Sequence, residues 1–237
     1  MECLRIEEAR RAICYPRPEA PLCDALIDEL RSIGVECIVP MGRFRKAGIP
    51  ILGSGWAGNV FAALWNAHLV AIKALKPNSR RKSMLREALL AKIASMYGVA
   101  PRVYTFTRRL IVMKLVNGSV LASYKPSDTA RALLVLRRLL YKAYILDRLG
   151  IDHGELVRPG GQVMVEDDEP YIIDFDSASA LRKPRNVTSL AAGLARIPWA
   201  SRLVKPSSDP SVRTVLREYR RNPTLNNFEA VLDALGL

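Results

Sequence analysis

The stretch GSGWAGNVFAALWNAHLVAIK, residues 53–73, decides how the rest of the chain is read. Its first eight residues fit the spacing G-x-G-x-x-G-x-V, and glycines there let backbone amides approach an anion without a Cβ in the way. A dinucleotide-binding turn would lead from the glycines straight into a helix. Here NVFAALW and HLVAIKAL read as strands around a turn at Asn66-Ala67, so the glycine loop is a hairpin tip. Lys73 closes the apolar run VAIK, and an ammonium in that setting needs a counter-charge. Glu87 shares a helical surface with Met84, Leu90 and Ala91, which turns it toward the protein. Taken singly, these are a Gly-rich turn, a snorkelling edge lysine and a solvated helix acid. Taken together and in order, they favour a phosphate site.

Outward from this stretch, IPIL before the loop completes an expected three-stranded antiparallel meander with NVFAALW and HLVAIKAL. Residues 79–97 read as a helix with Met84, Leu85, Ala88, Leu89 and Ile93 at i, i+3 and i+4 spacing, stopped by Gly98. RVYTFTRR and LIVMKLV read as a further hairpin, and residues 128–149 as a long helix with Leu133, Leu136, Leu140, Tyr144 and Ile145 on one stripe. Upstream, residues 4–12 and 22–33 read as helices, the second ending at Gly34, followed by the strand VECIV. The expected organisation is an N-terminal cap over residues 1–48, a strand-rich part over 49–116 and a helical part over 117–237, an α+β chain.

The 237 residues are 49% hydrophobic, enough for a sizeable core, and carry a net charge of +13 that attracts polyanions from a distance. Ten of the 36 basic residues are Lys, the rest Arg, and Gln occurs once, at 162, a usage that points weakly to a thermophile. Cys3, Cys14, Cys23 and Cys37 form no C-x-x-C pair and have no His nearby, so no structural metal is expected. Buried thiols are the expectation for them, with disulfides the alternative for a hyperthermophile source. No run has the length and flanks of a signal peptide or the ~20 apolar residues of a membrane span, so a cytoplasmic location is expected.

A second stretch, IDHGELVRPGGQVMVEDDEPYIIDFDSAS (151–179), places Asp174 inside the apolar run YIIDF. A buried carboxylate there is costly unless a cation or an Arg offsets it, and a magnesium ion is one such cation. Glu155 follows His153 and Gly154, and the hairpin QVMV–EDDEP–YIIDF would carry both acids to one end of a cleft.

GSGWAGNV, VAIK, Glu87, the LIVM strand, HGEL and IIDFD resemble, in order, the Gly-rich loop, strand-three lysine, helix-C glutamate, gatekeeper strand, catalytic loop and metal-binding loop of protein kinases. The likeness spans residues 50 to about 180 and lacks the usual A-P-E segment. It is similar above all to minimal atypical archaeal kinases, kin to the RIO family and to the small kinase of the KEOPS tRNA-modifying complex.

The resemblance implies a two-lobed kinase fold, an antiparallel-sheet N-lobe over a reduced helical C-lobe, that uses ATP and Mg²⁺ to phosphorylate serine or threonine. It implies that Gly53, Ser54, Gly55 and Gly58 cover the phosphates, and that Lys73, held by Glu87, contacts the α- and β-phosphates. Val60 and Ala71 would line the adenine roof with Met164 below it, Met113 would be the gatekeeper, and the backbone of Lys114 and Val116 would meet the adenine edge. His153 and Glu155 would belong to the catalytic loop, Glu155 as the base, and Asp174 would hold Mg²⁺. Glu155 stands where kinases have Asp, one methylene farther out. For the second metal ligand, counting from His153 gives Gly160, whereas aligning the following strand gives Gln162. The acceptor protein is not specified. The basic charge admits RNA or a ribonucleoprotein as a partner, and a nucleotide-binding scaffold or ATPase subunit of such an assembly is the alternative function.

RKPRNVTSL (182–190) reads as a helix start preceded by cationic and turn residues, or as a phosphate dock. RRLLYKAYILDRLG interleaves basic and aromatic residues, but at the spacing of a buried helix with a wet face, and is not read as an RNA site.

Overall fold

A computed structural model describes residues 2–237. The chain forms two compact units, one built from residues up to Leu89 with Arg102–Leu115, the other from Leu90–Pro101 with Val116–Leu237.

The first unit contains α1 (Ile6–Ile13), α2 (Pro21–Ser32), β1 (Val35–Val39), β2 (Phe44–Lys46), β3 (Ile49–Ile51), β4 (Gly53–Ser54), β5 (Gly58–Trp65), β6 (His68–Leu75), the start of α3 (Leu85–Met96), β7 (Val103–Phe106) and β8 (Leu110–Lys114). The antiparallel sheet runs β1-β5-β6-β8-β7, with β4 also on β5. Alternation divides this sheet into two faces. Phe61, Ala63, Val70, Ile72, Ala74, Leu110 and Val112 join α1 and α2 in one buried cluster. Val60, Ala62, Ala71, Lys73, Ile111 and Met113, matched across the strands in register, occupy the other face.

Several sequence expectations change here. The strand IPI pairs with Phe44–Lys46 and not with β5, because β5's outer edge is already taken by β4 and by β1. The strand VECIV is therefore part of the main sheet. The four cysteines are not thiols: Cys3 is bonded to Cys37 and Cys14 to Cys23, with Cα separations of 5.7 and 5.6 Å, inside the range a disulfide accepts. Helix α3 begins at Leu85 and not at 79, since the Met84 amide donates to the Arg108 carbonyl and holds the preceding chain out of the helix. Its buried side carries Glu87, Ala88, Ala91 and Ala94, with buried Met84 just ahead of it, while Leu85, Leu89 and Ile93 are 42, 51 and 40% exposed. Apolar residues lie all round this helix, and the Glu87 ion pair described below accounts for which side faces inward.

The second unit holds the rest of α3, β9 (Ser119–Val120), α4 (Thr129–Arg148), β10 (Val163–Glu166), β11 (Glu169–Ile172), α5 (Asn186–Leu194), α6 (Pro210–Arg221) and α7 (Leu225–Leu235). Strands β9, β10 and β11 form a small antiparallel sheet. The β10–β11 turn is two residues, Asp167 and Asp168, both at positive φ, the twist a tight hairpin requires. Asp128 caps α4 by accepting from the Arg131 amide, and α4 packs against β11 and α5. Architecturally the chain is α+β, an antiparallel sheet in its N-terminal part and mainly helices in its C-terminal part. Among the described residues no helix is long and apolar enough to cross a membrane.

Candidate functional site

In the first unit, Lys73 lies mid-sheet on the face opposite α1 and α2, 6% exposed, and its Nζ donates to Glu87 Oε1 at 2.5 Å. Glu87 is 4% exposed on α3. The loop before β5 closes as a hairpin tip, with the Gly55 amide donating to the Gly58 carbonyl at 2.9 Å. A Cβ on Gly58 would sit 2.8 Å from the Ala74 carbonyl oxygen and 3.1 Å from Lys73 Cγ, so this glycine is what lets the lysine lie against the loop strand. Gly53 carries no such constraint, its Cβ meeting only Val60 at 3.8 Å.

Val60 is paired with Lys73, and Ala71 with both Ala62 and Met113, so Val60, Ala71, Lys73 and Met113 share one sheet face. The Lys114 amide donates to the Arg102 carbonyl at 2.8 Å and is therefore not the group that would meet a base. Ser54 is engaged within the loop, its hydroxyl donating to Asn59 Oδ1 at 2.9 Å. Asn59 is fully buried and donates to the Ile13 and Tyr15 carbonyls, tying the loop to the end of α1. Lys76 adds a cation at the tip, donating to the Gly55 carbonyl, and burial followed by Lys46 holds its pKa below the usual lysine range.

The second unit contains the other set, together with Val116 and with Met164 on β10. His153 is fully buried, and since a carbonyl can only accept, Nε2 carries the proton given to Ile173 O at 2.9 Å. Burial pushes its pKa down, so the ring is neutral, and it meets Phe175 edge-on at 5.1 Å. Its bond to the Ile173 carbonyl ties the loop to the end of β11. Gly154 sits at φ 89° under Arg182 and Ser177, where a Cβ would be 2.9 Å from the guanidinium.

Glu155 accepts from two donors: Gln162 Nε2 at 2.6 Å on one oxygen and the Ser177 hydroxyl on the other. The Gln162 carbonyl accepts from the Ile173 amide at 2.9 Å, which brings Gln162 beside the residue preceding Asp174. Gly160 is instead packed on Ala122 and Ile197, so of the two alternatives for a second metal ligand it is Gln162 whose side chain lies with Glu155. Asp174 has φ 63°, a left-handed conformation that costs a non-glycine residue on the order of 1–2 kcal/mol, and such strain concentrates at functional positions. Asp176 follows on the short 3-10 turn Phe175–Ser177.

Sequence reasoning missed the groups that hold this loop. Asn186 is buried and accepts from the His153 amide at 2.8 Å while donating to the Ile151 carbonyl. The helix that follows is capped remotely by Asp147, which accepts from the Asn186 and Val187 amides and from the Tyr219 hydroxyl. Burial raises the Asp147 pKa against the pull of those bonds. Arg182 pairs with Asp152 at 2.9 Å and donates to the Ser177 carbonyl at 2.7 Å, so the basic start of RKPRNVTSL is committed within the loop.

Among the described residues no three His, Cys, Asp or Glu side chains gather as a metal cage. Magnesium does not need one, since it takes one or two carboxylates and completes its octahedron with phosphate oxygens and water. Gln162 Oε1 is buried without a hydrogen-bond partner, the kind of neutral oxygen such an ion accepts.

The chain is similar to a kinase domain. A crystal structure described as the kinase domain of PF14_0431 superposes with a TM-score of 0.45 at 15% sequence identity, covering 54% of this chain and 49% of that one. The chain thus spans about half the length of the domain it matches. No protein-family model and no curated protein matches the sequence.

Proposed function

We propose that this chain is an ATP- and Mg²⁺-dependent phosphotransferase, a serine/threonine protein kinase of the minimal atypical kind, related to the RIO family and the KEOPS small kinase. The observation that carries the reading is the buried Lys73–Glu87 pair on a sheet face shared with Val60, Ala71 and Met113, beside a glycine that a methyl group could not replace. Burying such a pair away from water is a poor route to stability, and its presence here argues for a ligand that uses the ammonium.

In this reading Lys73 binds the α- and β-phosphates, and Asp174 with Gln162 Oε1 would hold magnesium, which neutralises charge developing on the phosphates. Glu155 orients a serine or threonine hydroxyl whose oxygen attacks the γ-phosphorus. The bond from the γ-phosphorus to its bridging oxygen breaks, ADP leaves with that electron pair, and the hydroxyl proton passes to Glu155. The two disulfides agree with a cytoplasmic setting only in an organism of the disulfide-rich hyperthermophilic kind.

The test is incubation with γ-labelled ATP and Mg²⁺. Label on the chain or on added acceptor protein, with nucleotide affinity lost in Lys73→Ala, is the expected result. Neither transfer nor hydrolysis, together with unchanged affinity in Lys73→Ala, refutes the reading.

One observation favours a second reading, a nucleotide-dependent scaffold or ATPase: both Glu155 oxygens already accept hydrogen bonds, from Gln162 and Ser177, and so are committed within the loop. Glu155→Asp separates the two. Transfer survives or rises in a kinase and stays absent in a scaffold.

A further inference from the structure

The basic-aromatic helix that the phosphotransfer reading leaves unused is only partly buried. Along α4, Arg137, Tyr141 and Arg148 are exposed, Tyr141 by 51%, and at 100° per residue they lie within an arc of about 40°. The inner side of this stripe is rigid: Tyr141 and Tyr144 pack on Phe228 of α7 at 6.2 and 4.7 Å. Arg148 donates to the Pro223 carbonyl in the turn between α6 and α7, so the stripe reaches the end of α6.

There a second row begins. α6 has four arginines against one acid, Glu218, which pairs with Arg221. Arg213, Arg217 and Arg220 are exposed and have no carboxylate partner among the described residues. They fall within an arc of about 60°, spaced about 6 and 5 Å along the axis, comparable with successive phosphates of an extended strand. α6 buries Val212, Leu216 and Tyr219, whose hydroxyl donates to Asp147 of α4, so the arginine row is held on a fixed support.

From this we infer that α4 and α6 together form a binding surface for a single-stranded polynucleotide: Arg213, Arg217, Arg220 and Arg148 neutralise phosphates, and the outward face of Tyr141 stacks on a base. An uncompensated arginine row supplies affinity for any polyanion, and the exposed ring, braced from beneath, selects one with aromatic bases. None of these residues belongs to the proposed phosphotransfer site, so the inference stands or falls apart from that reading.

The experiment is fluorescence anisotropy of the full chain with a labelled 20-nucleotide oligo(U), with oligo(dT), a duplex of equal length and polyglutamate as comparisons, over a salt series. Arg213→Gln/Arg217→Gln/Arg220→Gln should lower the slope of log affinity against log salt by about 2, at ~0.7 per phosphate contact. Tyr141→Leu, which keeps the apolar packing on Phe228, should weaken oligo(U) about 5- to 100-fold with the slope unchanged. Both variants should keep wild-type thermal melting and ATP affinity. Oligo(dT) bound as well as oligo(U) supports a strand reader indifferent to the sugar; oligo(U) alone bound supports RNA. Equal binding of polyglutamate, tighter binding of the duplex, or full affinity in both variants overturns the inference.

Discussion

Reducing the two disulfides should unfold the first unit at much lower denaturant. The bridges close loops of 9 residues (Cys14–Cys23) and 34 residues (Cys3–Cys37), the shorter nested within the longer. Chain-entropy loss in the unfolded state corresponds to about 2.6 kcal/mol for the inner bridge and, with the inner loop already closed, about 3.5 kcal/mol for the outer one. Together, about 6 kcal/mol is a large part of the ~5–15 kcal/mol that keeps a domain folded. With a urea m-value of about 3 kcal/mol/M, the midpoint should fall by about 2 M on adding reductant. Trp65, which donates to the Ile33 carbonyl at the end of α2, reports this unit by fluorescence once Trp199 of the second unit is replaced by Phe. Cys3 is exposed whereas Cys14 and Cys23 are fully buried, so mild reductant should open the outer bridge first. Four thiols titrated in denaturant without reductant, and one midpoint under both conditions, would refute the reasoning.

The site yields three further expectations. Gly58→Ala drives a Cβ to 2.8 Å from a backbone oxygen and 3.1 Å from Lys73 Cγ, so it should cost about 1–3 kcal/mol in urea melts and weaken ATP by at least tenfold in calorimetry; unchanged ATP affinity counts against the loop reading. Ser177→Ala removes one of the two donors that fix the Glu155 carboxylate and should lower the transfer rate with ATP affinity unchanged; an unchanged rate means that Ser177 does not position this acid. His153, whose folded pKa is depressed by burial, binds its proton more readily when unfolded. Stability should therefore be full above the unfolded value near 6.5 and decline as pH falls below it, and His153→Gln should flatten that decline in midpoints measured at pH 7.5 and 5.5.

What could be read in the sequence was local. The alternation of NVFAALW and HLVAIKAL, the turn at Asn66-Ala67 and the inward placement of Glu87 beside Met84, Leu90 and Ala91 follow from spacing alone, and the structure has each of them. The outward turn of Leu85, Leu89 and Ile93 was not legible, since α3 offers apolar residues on every side and the ion pair to Lys73 settles its rotation. Nor was the seat of β1 on β5, because β3 and β4 stand nearer in sequence and compete for the same sheet edge. The Cys3–Cys37 bond depends on the Leu4–Ile38 bridge that draws the N-terminus alongside β1, a long-range contact with no spacing signature. Ser177 and Asn186 escaped for the same reason: their partners Glu155 and His153 stand 22 and 33 residues away, and a serine or asparagine at those points has many ordinary uses.

In the proposed phosphotransferase, Lys73 and Asp174 act on one Mg²⁺-bound ATP. A double-mutant cycle with Lys73→Ala, Asp174→Asn and the combined variant, read as Mg²⁺-ATP affinity by calorimetry, tests it most directly. Each single change should weaken binding, and the combined loss should fall short of their sum by about 0.5–3 kcal/mol, the signature of residues sharing a ligand. Losses that add to within about 0.3–0.5 kcal/mol, or ATP binding indifferent to either change, would contradict the account.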